Sequence, residues 1–429
     1  MKALLSSNLV RFAVSYSVLA ALLAGCGGFQ SPVQPPLASG NARPIRATSS
    51  EQVVYSFAGG TDGADPATDL TSGGDGSFYG TTVTGGRYYN CGTIFKLTPR
   101  SSPPWQESVL YNFTCYGDGK NPYGGVTFDR NADLFGTTVA GGSGPICAGD
   151  GCGVAWELNA SGESVLHSFA GGDDGYGPGG ALTMDRKGNL YGTTPDGGAH
   201  YSGVVYELSH HKGSWRERVI HAFNGGSEGG VGSLGRLLIA GLDGTRGLYG
   251  VTEIGGAHGA GTLYKLDRRS GKWLFTTLYS FKSTPDCGSP YGGLIADRHG
   301  NLYGTTYYGG ANGLGCVFKF ASDRMYYKES VLYSFKGGND GSAPTSTLLL
   351  NGRGTLYGTT SAGGGSCDCG TVFKLNTKTG AESVLHSFSG GQDGSYPYYG
   401  LVPDGSGHLL GTTATGGTSN QGVAFEITP

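Results

Sequence analysis

A sequence unit of 53 to 58 residues occurs seven times along this chain of 429 residues. Each unit contains an anchor Phe, a Gly-rich acidic loop, a short apolar run, a tight turn, a Leu-Tyr-Gly-Thr-Thr-like run, a second Gly-rich loop and a Gly-Thr-Val-Phe-Lys-Leu-like run. The anchors are Phe57, Phe113, Phe169, Phe223, Phe281, Phe335 and Phe388. A period of this length is typical of supersecondary units that must stack to bury their apolar faces.

The composition fits a folded array despite its high glycine content. The sequence contains 83 Gly and 18 Pro, which approaches the level of low-complexity chains. The Gly residues, however, recur at fixed offsets between apolar runs, where turns require unusual backbone angles. Charged residues make up 14% of the chain, the formal net charge is -3, and the basic residues are scattered. We therefore expect no nucleic-acid partner.

The unit of residues 178–223 indicates what each repeat forms. Its short runs rich in β-branched and aromatic residues are 181–184, 190–194, 203–208 and 218–223. Turn residues separate these runs, which predicts strands, and none of them has the length or period of a helix. Four antiparallel strands repeated seven times predict an all-β fold, a seven-bladed β-propeller of four-stranded antiparallel blades.

The two ends of the array complement each other. The array opens with a lone fourth strand at residues 51–57 and closes with a third strand at residues 422–427, which no fourth strand follows. Pairing these two strands would close the ring and remove exposed sheet edges. We therefore predict a propeller over residues 51–429, closed by its N-terminal strand in the last blade and monomeric.

This topology predicts two distinct faces. The turns at residues 129–133, 185–189 and 297–301 lie on one face, together with the connections between third and fourth strands such as residues 98–106. We call this the turn face. Both Gly-rich loops of each repeat emerge on the opposite side, which we call the loop face.

The first 50 residues differ from the array. Residues 12–23 form an uncharged run after Lys2 and Arg11, and its length suits the core of a secretory signal better than a membrane span. The run ends in Leu-Ala-Gly-Cys at residues 23–26, which resembles the lipobox of bacterial lipoproteins. This resemblance implies that residues 1–25 are a signal peptide and that Cys26 is lipidated. An ordinary signal with an incidental Cys is the alternative.

Residues 26–50 are predicted to form a flexible spacer because they are rich in Pro, Ser, Ala and Gly and lack apolar periodicity. The lipid on Cys26 is then the predicted membrane contact, and the protein is expected in the bacterial cell envelope. Gly27 stands where some lipoproteins carry a retention Asp, and by the same resemblance the outer membrane is favoured.

Eight further Cys residues lie in or beside the loop-face loops. An even number of Cys in an exported protein predicts disulfides. The local pairs we favour are Cys91–Cys115, Cys147–Cys152, Cys287–Cys316 and Cys367–Cys369. The last pair would close a very small ring, and the spacing alone leaves other connectivities open.

Two sets of loop-face side chains are candidate ligand contacts. The first consists of aromatic pairs at variable positions of one loop, namely Tyr88, Tyr89, His200, Tyr201, Tyr307 and Tyr308. Tyr among Gly and Ser suits adaptable binding surfaces. The alternative is that these rings only cover Gly-rich backbone.

The second set is an acid five residues after each anchor Phe: Asp62, Asp118, Asp174, Glu228, Asp286, Asp340 and Asp393. Hard oxygen ligands suit Ca²⁺. We favour turn chemistry instead, because Asp before Gly hydrogen-bonds its own backbone and each blade offers only one carboxylate. No metal or cofactor is therefore expected.

The repeated motifs resemble those of the GloVer tandem-repeat family, exported bacterial proteins whose membrane attachment varies. The matching runs include residues 333–341, 356–360 and 370–375, and the resemblance extends over residues 53–429. The family has no established activity, so the resemblance implies a location and a repeat type but no catalytic residues.

The sequence also lacks a His-Glu-x-x-His motif and a P-loop. We therefore expect a non-enzymatic envelope module that recognises a glycan or a protein through its loop face. The alternative is a hydrolase or lyase acting on polysaccharide or peptide in the central funnel. The candidates for that chemistry are Arg236, Glu253 and His258 of the divergent fourth unit.

Overall fold

The described strands form seven antiparallel sheets, and this all-β arrangement is the predicted seven-bladed β-propeller. The structure is a computed structural model and describes residues 50–429 except residues 67, 89, 148, 233–234, 241–246 and 324–325. The predicted signal peptide, Cys26 and nearly all of the spacer lie outside the described residues. Within the described part, no helix has the length and apolarity needed to cross a membrane.

The strands follow the chain from the lone N-terminal strand through blades I to VII. The first strand is β1 (Ser50–Ser56). Blade I contains β2 (Thr71–Ser72), β3 (Phe78–Thr82), β4 (Thr93–Thr98) and β5 (Gln106–Asn112). Blade II contains β6 (Thr127–Phe128), β7 (Leu134–Thr138), β8 (Val154–Asn159) and β9 (Gly162–Ser168). Blade III contains β10 (Thr183–Met184), β11 (Leu190–Thr194), β12 (Val204–His211) and β13 (Ser214–Ala222).

In blades IV and V the first strand is divided into two short pieces that pair with the same second strand. Blade IV contains β14 (Gly230–Gly232), β15 (Leu238–Ala240), β16 (Gly247–Ile254), β17 (Thr262–Arg269) and β18 (Lys272–Ser280). Blade V contains β19 (Cys287–Pro290), β20 (Ile295–Ala296), β21 (Leu302–Gly309), β22 (Cys316–Asp323) and β23 (Tyr326–Ser334). Blade VI contains β24 (Leu349–Leu350), β25 (Thr355–Thr360), β26 (Thr371–Asn376) and β27 (Glu382–Ser387). Blade VII contains β28 (Val402–Pro403), β29 (Leu409–Thr413) and β30 (Val423–Thr428). Single-turn 3-10 helices lie at Gly60–Asp62, Gly172–Asp174 and Gly338–Asp340.

The ring closes as the chain ends predict. Strand β1 pairs antiparallel with β30, from Ser50 opposite Thr428 to Ser56 opposite Val423. The Phe57 N–H donates to the Gly422 carbonyl at 3.0 Å, which extends this ladder into the loop face. The N-terminal segment therefore supplies the fourth strand of blade VII.

The Gly of each Leu-Tyr-Gly-Thr-Thr run makes room for an aromatic ring on the neighbouring third strand. A Cβ built on Gly136 would lie 2.3 Å from Cζ2 of Trp156, and one built on Gly192 would lie 2.3 Å from Oη of Tyr206. Both aromatic side chains are fully buried. The repeated Gly is therefore a packing requirement of the strand and needs no ligand to explain it.

The two Thr residues of the same run have separate roles. The first bonds to the next blade, as Thr81 Oγ1 donates to the Pro122 carbonyl at 3.0 Å and Thr412 Oγ1 to the Thr68 carbonyl at 3.1 Å. The second stays within its blade, as Thr82 Oγ1 donates to the Thr84 carbonyl at 2.9 Å. The bonds of the first Thr, together with apolar clusters between blades, connect each sheet to its neighbour.

Candidate functional site

Four disulfides brace the loop face. They are the predicted pairs Cys91–Cys115, Cys147–Cys152, Cys287–Cys316 and Cys367–Cys369, with Cα–Cα separations of 5.3 to 5.9 Å. Cys91–Cys115 connects the second Gly-rich loop of one repeat to the first Gly-rich loop of the next, because Cys91 precedes β4 and Cys115 follows β5 and the anchor Phe113. Such cross-links hold loops that have few apolar contacts of their own.

The predicted aromatic pairs do not form one surface. Tyr88, Tyr201 and Tyr308 are exposed by 41%, 72% and 54% on blades I, III and V, and His200 is also exposed. Within the described part of the chain, these three Tyr rings make no contact with one another. Tyr89 lies outside the described residues. Tyr307 differs from the others because it is half-buried and lies against Tyr308, with 4.5 Å between ring centroids.

The acid that follows each anchor Phe serves its own loop. Each Asp of the set accepts the backbone N–H of the residue four positions earlier, and the fourth-strand Tyr or His contacts the same carboxylate. For Asp118, Thr114 N–H donates at 2.8 Å and Tyr111 Oη at 2.9 Å. The equivalent backbone bonds are made by Asp62, Asp174, Asp286, Asp340 and Asp393. His221 Nε2 lies 3.3 Å from Glu228. These carboxylates therefore stabilise separate turns and do not converge on one ion.

A Glu from the neighbouring blade accompanies six of these acids. Burial, then the charge of Asp62, raises the pKa of Glu107 from an ordinary value near 4.5 to about 8. Burial also raises the pKa of Glu163 and Glu217 to about 7, with a further contribution from Asp118 and Asp174 respectively. The remaining pairs are Glu329–Asp286, Glu382–Asp340 and Glu51–Asp393. A proton held by the Glu at neutral pH is the expected consequence.

Two described clusters combine His with carboxylates at a spacing that a metal ion could use. The ligand atoms of His167, Asp174 and Glu217 lie within 4.8 Å of one another, as do those of Asp404, His408 and Glu426. In the first cluster, His167 Nε2 already contacts Asp174 at 3.1 Å, and the raised pKa of Glu217 favours its neutral form. Both clusters are satisfied by their own contacts, and we assign no metal to them.

Tyr residues from distant blades converge at the ring axis. Tyr291 of blade V lies within electrostatic range of Tyr123 of blade II and Tyr398 of blade VII, and of Tyr307 on its own blade. Tyr399 of blade VII interacts in the same way with Tyr291 and Tyr123. Because blades II, V and VII are not neighbours, such side chains can meet only at the centre of the ring. We call this loop-face end of the central channel the channel mouth.

Two carboxyl groups border these tyrosines. Glu253 at the end of β16 interacts with Tyr291, and Asp65 before β2 interacts with Tyr398 and Tyr399. Burial raises the pKa of Glu253, and it raises the pKa of Asp65 to about 7. Both side chains keep partial solvent access, as expected for groups that line a narrow channel. The channel mouth thus combines flat aromatic rings with carboxyl groups that accept hydrogen bonds and, when protonated, also donate them.

Unpaired polar atoms mark the channel mouth. The Tyr398 hydroxyl and Asp65 Oδ1 are buried, and neither has a hydrogen-bond partner among the described residues. Leaving a buried polar atom unpaired is costly, so such atoms commonly bind water or a ligand. Other buried unpaired polar atoms lie between the blades, but these two lie among rings suited to stacking.

A pair of opposite charges lies deeper in the channel. Arg236 Nη2 reaches past blade III to donate to Thr127 Oγ1 at 2.9 Å and to the Val126 carbonyl at 3.3 Å. Asp69 of blade I accepts the Gly400 N–H at 2.7 Å and attracts Arg236. Burial lowers the pKa of Arg236 and raises that of Asp69, and the attraction between the two charges opposes both shifts.

The three candidates for chemistry in the fourth unit are not assembled in one place. Arg236 is engaged with blade II inside the channel, Glu253 lies at the channel mouth, and His258 is exposed in the loop between β16 and β17. The loop-face residues Tyr123, Tyr291, Tyr398 and Tyr399 were not among the side chains predicted as ligand contacts. In the sequence, three of these tyrosines share one feature: Tyr123, Tyr291 and Tyr398 each directly follow a Pro.

The sequence matches a known repeat family. The Gloeobacter/Verrucomicrobia repeat model matches residues 73–295 and 247–429. The chain belongs to the Gloeobacter/Verrucomicrobia repeat family. The resemblance seen in the motifs is thereby confirmed for this repeat family. No curated protein matches the sequence.

Several solved structures resemble this member of the family at low identity and with TM-scores below 0.5. A candidate 6-phosphogluconolactonase from Bacteroides uniformis has 12% identity and a TM-score of 0.49, over 77% of this chain and 87% of that chain. An α-L-arabinanase from Penicillium chrysogenum has 13% identity and a TM-score of 0.43, over 70% and 91%. A protein of unknown function from Dyadobacter fermentans has 10% identity and a TM-score of 0.45, over 88% and 99%. At these identities the likeness concerns the fold alone.

Proposed function

We propose that this protein is a non-enzymatic, lipid-anchored module of the bacterial cell envelope that binds a glycan at the channel mouth. The observation that carries the proposal is the convergence of Tyr123, Tyr291 and Tyr398 from three non-adjacent blades. Sugar rings stack their apolar faces on aromatic side chains, while phenol and carboxyl groups bond sugar hydroxyls. A site on the ring axis favours a glycan chain end over the broad surface of a folded protein.

The point at which the chain enters the propeller is compatible with a glycan site at the channel mouth. Ser50 at the start of β1 pairs with Thr428 at the end of β30, which places it on the turn face, opposite the channel mouth. A spacer that leads from Cys26 to Ser50 would thus join the propeller on the face away from the glycan site.

The binding site can be tested with the full chain extracted in detergent. We expect it to bind at least one member of a panel of neutral and acidic polysaccharides. Replacing Tyr291 and Tyr398 by Ala should weaken that binding about tenfold or more, because two stacking surfaces are lost. The matched control is Tyr201→Ala, which removes an equally large but exposed ring away from the axis and should leave affinity unchanged. Equal losses in both variants, or binding only to a protein ligand, would contradict the proposal.

The lipid anchor has its own test. Cells grown with a labelled fatty acid should yield a labelled wild-type protein, whereas the Cys26→Ala variant should remain unlabelled and unprocessed at residue 25. Labelling that persists in Cys26→Ala would refute the anchor without affecting the glycan proposal.

A polysaccharide hydrolase or lyase remains the alternative function, favoured by one specific observation. Asp65 and Glu253 both border the channel mouth and both have raised pKa values, as a general acid requires. If a bound polysaccharide is cleaved, new chain ends should accumulate with the wild type and fail to accumulate with Glu253→Gln. Intact polysaccharide after prolonged incubation would exclude this alternative for that ligand.

A further inference from the structure

A basic groove lies on the turn face between blades III and IV, opposite the channel mouth. It encloses a cavity of about 360 Å³ lined by Asn189, Glu207, Ser209, His211, Arg216, Arg218 and Arg268. Asn189 ends a first-to-second strand turn and His211 ends β12, which places the groove on the turn face. None of these residues belongs to the channel mouth, so the groove is independent of the proposed glycan site.

The floor of the groove is a buried carboxylate that positions two arginines. Glu207 is 4% exposed, and the Tyr191 hydroxyl donates to its Oε1 at 3.1 Å. Arg218 Nη2 donates to Glu207 Oε2, and Arg268 Nη1 lies 3.5 Å from Glu207 Oε1. Arg268 also lies over the Trp273 ring at 5.8 Å. These contacts hold the two guanidinium groups in place while leaving each nearly half exposed, at 47% and 45%.

The third arginine has no carboxylate partner in the described part of the chain. Arg216 is exposed and lies opposite Ser209 in the pairing of β12 with β13, two residues from Arg218 on the same strand. Side chains two residues apart on a strand point to the same side of the sheet, so Arg216 and Arg218 flank the same cavity. Asp185 does not line the groove, but its Oδ2 lies 3.2 Å from the Tyr191 hydroxyl behind Glu207, so it adds a second carboxylate near the arginines.

Arg218 departs from the pattern that the other repeats show at its position. Arg218 pairs with Glu207 at a fourth-strand position where other blades carry a short or neutral side chain. The equivalent residues are Gln52, Ser108, Ser164, Thr276, Ser330 and Ser383. Drift of a single position would not also bring Arg216 and Arg268 to the same cavity. A groove lined by three arginines is therefore suited to an anionic ligand.

We propose that this groove binds a phosphate monoester. Three guanidinium groups outnumber the Glu207 carboxylate among the lining residues, and one positive charge remains when Asp185 is also counted. A phosphate monoester carries a charge of about -1.5 to -2 at neutral pH. Guanidinium groups bind phosphate oxygens in paired hydrogen bonds. The cavity also has room for the sugar or glycerol group that bears the phosphate. A soluble sugar phosphate and a lipid headgroup share this chemistry, and the turn face is open to both.

Calorimetry on the full chain in detergent can test the groove with three phosphate probes, namely inorganic phosphate, glucose 6-phosphate and mixed micelles containing phosphatidic acid, and with galacturonate as a carboxylate for comparison. We expect 1:1 binding of at least one probe, and the probe that binds most tightly identifies the source of the phosphate. Arg216→Gln should weaken binding about tenfold, since a charge-assisted hydrogen bond is lost without breaking a described ion pair. Arg218→Gln should have at least the same effect.

Arg353→Gln is the matched control, because Arg353 is exposed on the turn face of blade VI, away from the groove. It should bind the phosphate probes as the wild type does, and circular dichroism should show that all variants are folded. Absence of binding for all three probes would overturn the proposal. Equal losses in Arg216→Gln and Arg353→Gln would overturn it too, as would tighter binding of galacturonate than of any phosphate probe.

Discussion

At the residue scale, the residues that recur in every unit meet the packing and hydrogen-bond requirements of one blade. The Gly before the two Thr residues lies against a buried aromatic ring, and the Thr hydroxyls bond within the blade and to the next one. These roles depend only on the residue type and its place in a strand. The local part of the fold could therefore be predicted from sequence.

The convergence of side chains could not be predicted in the same way. Tyr291 and Tyr123 belong to units separated by more than 150 residues, and their approach depends on the closed ring. Likewise Arg216 and Arg268 lie on different blades, and only the register of the strands brings them to one groove. The predicted contacts Tyr88 and Tyr201 stand out in the sequence, but they lie on different blades and remain apart in the ring.

Replacing Gly136 by Ala tests the packing role of the repeated Gly. The added Cβ would lie 2.3 Å from the Trp156 ring, which is fully buried and has no room to move. We expect the free energy of unfolding to fall by about 1 to 3 kcal/mol, the usual cost of overpacking. Urea unfolding followed by Trp fluorescence measures this loss. Gly352→Ala, where no atom lies within 4 Å of the new Cβ, should change stability little and serves as the control.

At the scale of elements, the blades meet through carboxyl pairs as well as through apolar clusters. Six Glu residues on outer strands lie against an Asp of the preceding loop, and their Oε1 atoms are buried without a described hydrogen-bond partner. A protonated Glu would supply the hydrogen that such a pair needs. At the interface between blades III and IV, Phe275 takes the place of the Glu and stacks on His221, with 4.0 Å between the ring centroids. An apolar ring can therefore replace the carboxyl pair at this contact.

These pairs predict a stability that declines as the pH rises. The Glu pKa is raised from about 4.5 in the unfolded chain to about 7 or 8 in the folded one. Below pH 4.5 both states hold the proton and the stabilisation is complete. Above it the unfolded state loses the proton first, so stability falls until the folded pKa is passed near pH 8. The urea midpoint, measured from pH 4.5 to pH 9, should show this decline.

A double variant isolates the contribution of the pairs. Glu107→Gln with Glu163→Gln keeps a hydrogen-bond donor at two of the six interfaces but removes its titration. We expect the decline of the urea midpoint with pH to become shallower by about one third, the share of the pairs removed. Glu157→Gln, on the third strand of blade II, is the control and should preserve the wild-type slope. An unchanged slope in the double variant would show that these Glu residues are ionised in the folded protein.

At the scale of the whole molecule, the ring was predictable because the two chain ends are incomplete in complementary ways. Strand β1 contributes Val54, which is 1% exposed, and a ladder against β30 that is interrupted by a bulge at Val54. It also contacts blade I, as the Trp105 N–H donates to the Val54 carbonyl at 2.8 Å. One strand therefore links the last blade to the first, and its loss should affect both.

Deleting residues 50–56 from the full chain tests whether the ring depends on this closure. The deletion exposes the edge of β30, removes the burial of Val54 and breaks the bond to Trp105, so blades VII and I lose stability together. We expect the melting temperature to fall by about 10 °C or more and the transition to broaden, because an open ring unfolds from its ends. Deletion of residues 35–41, seven residues of the predicted spacer, should leave the melting curve unchanged. If both deletions melt like the wild type, the first and last blades hold together without the N-terminal strand, and the closing ladder adds no stability.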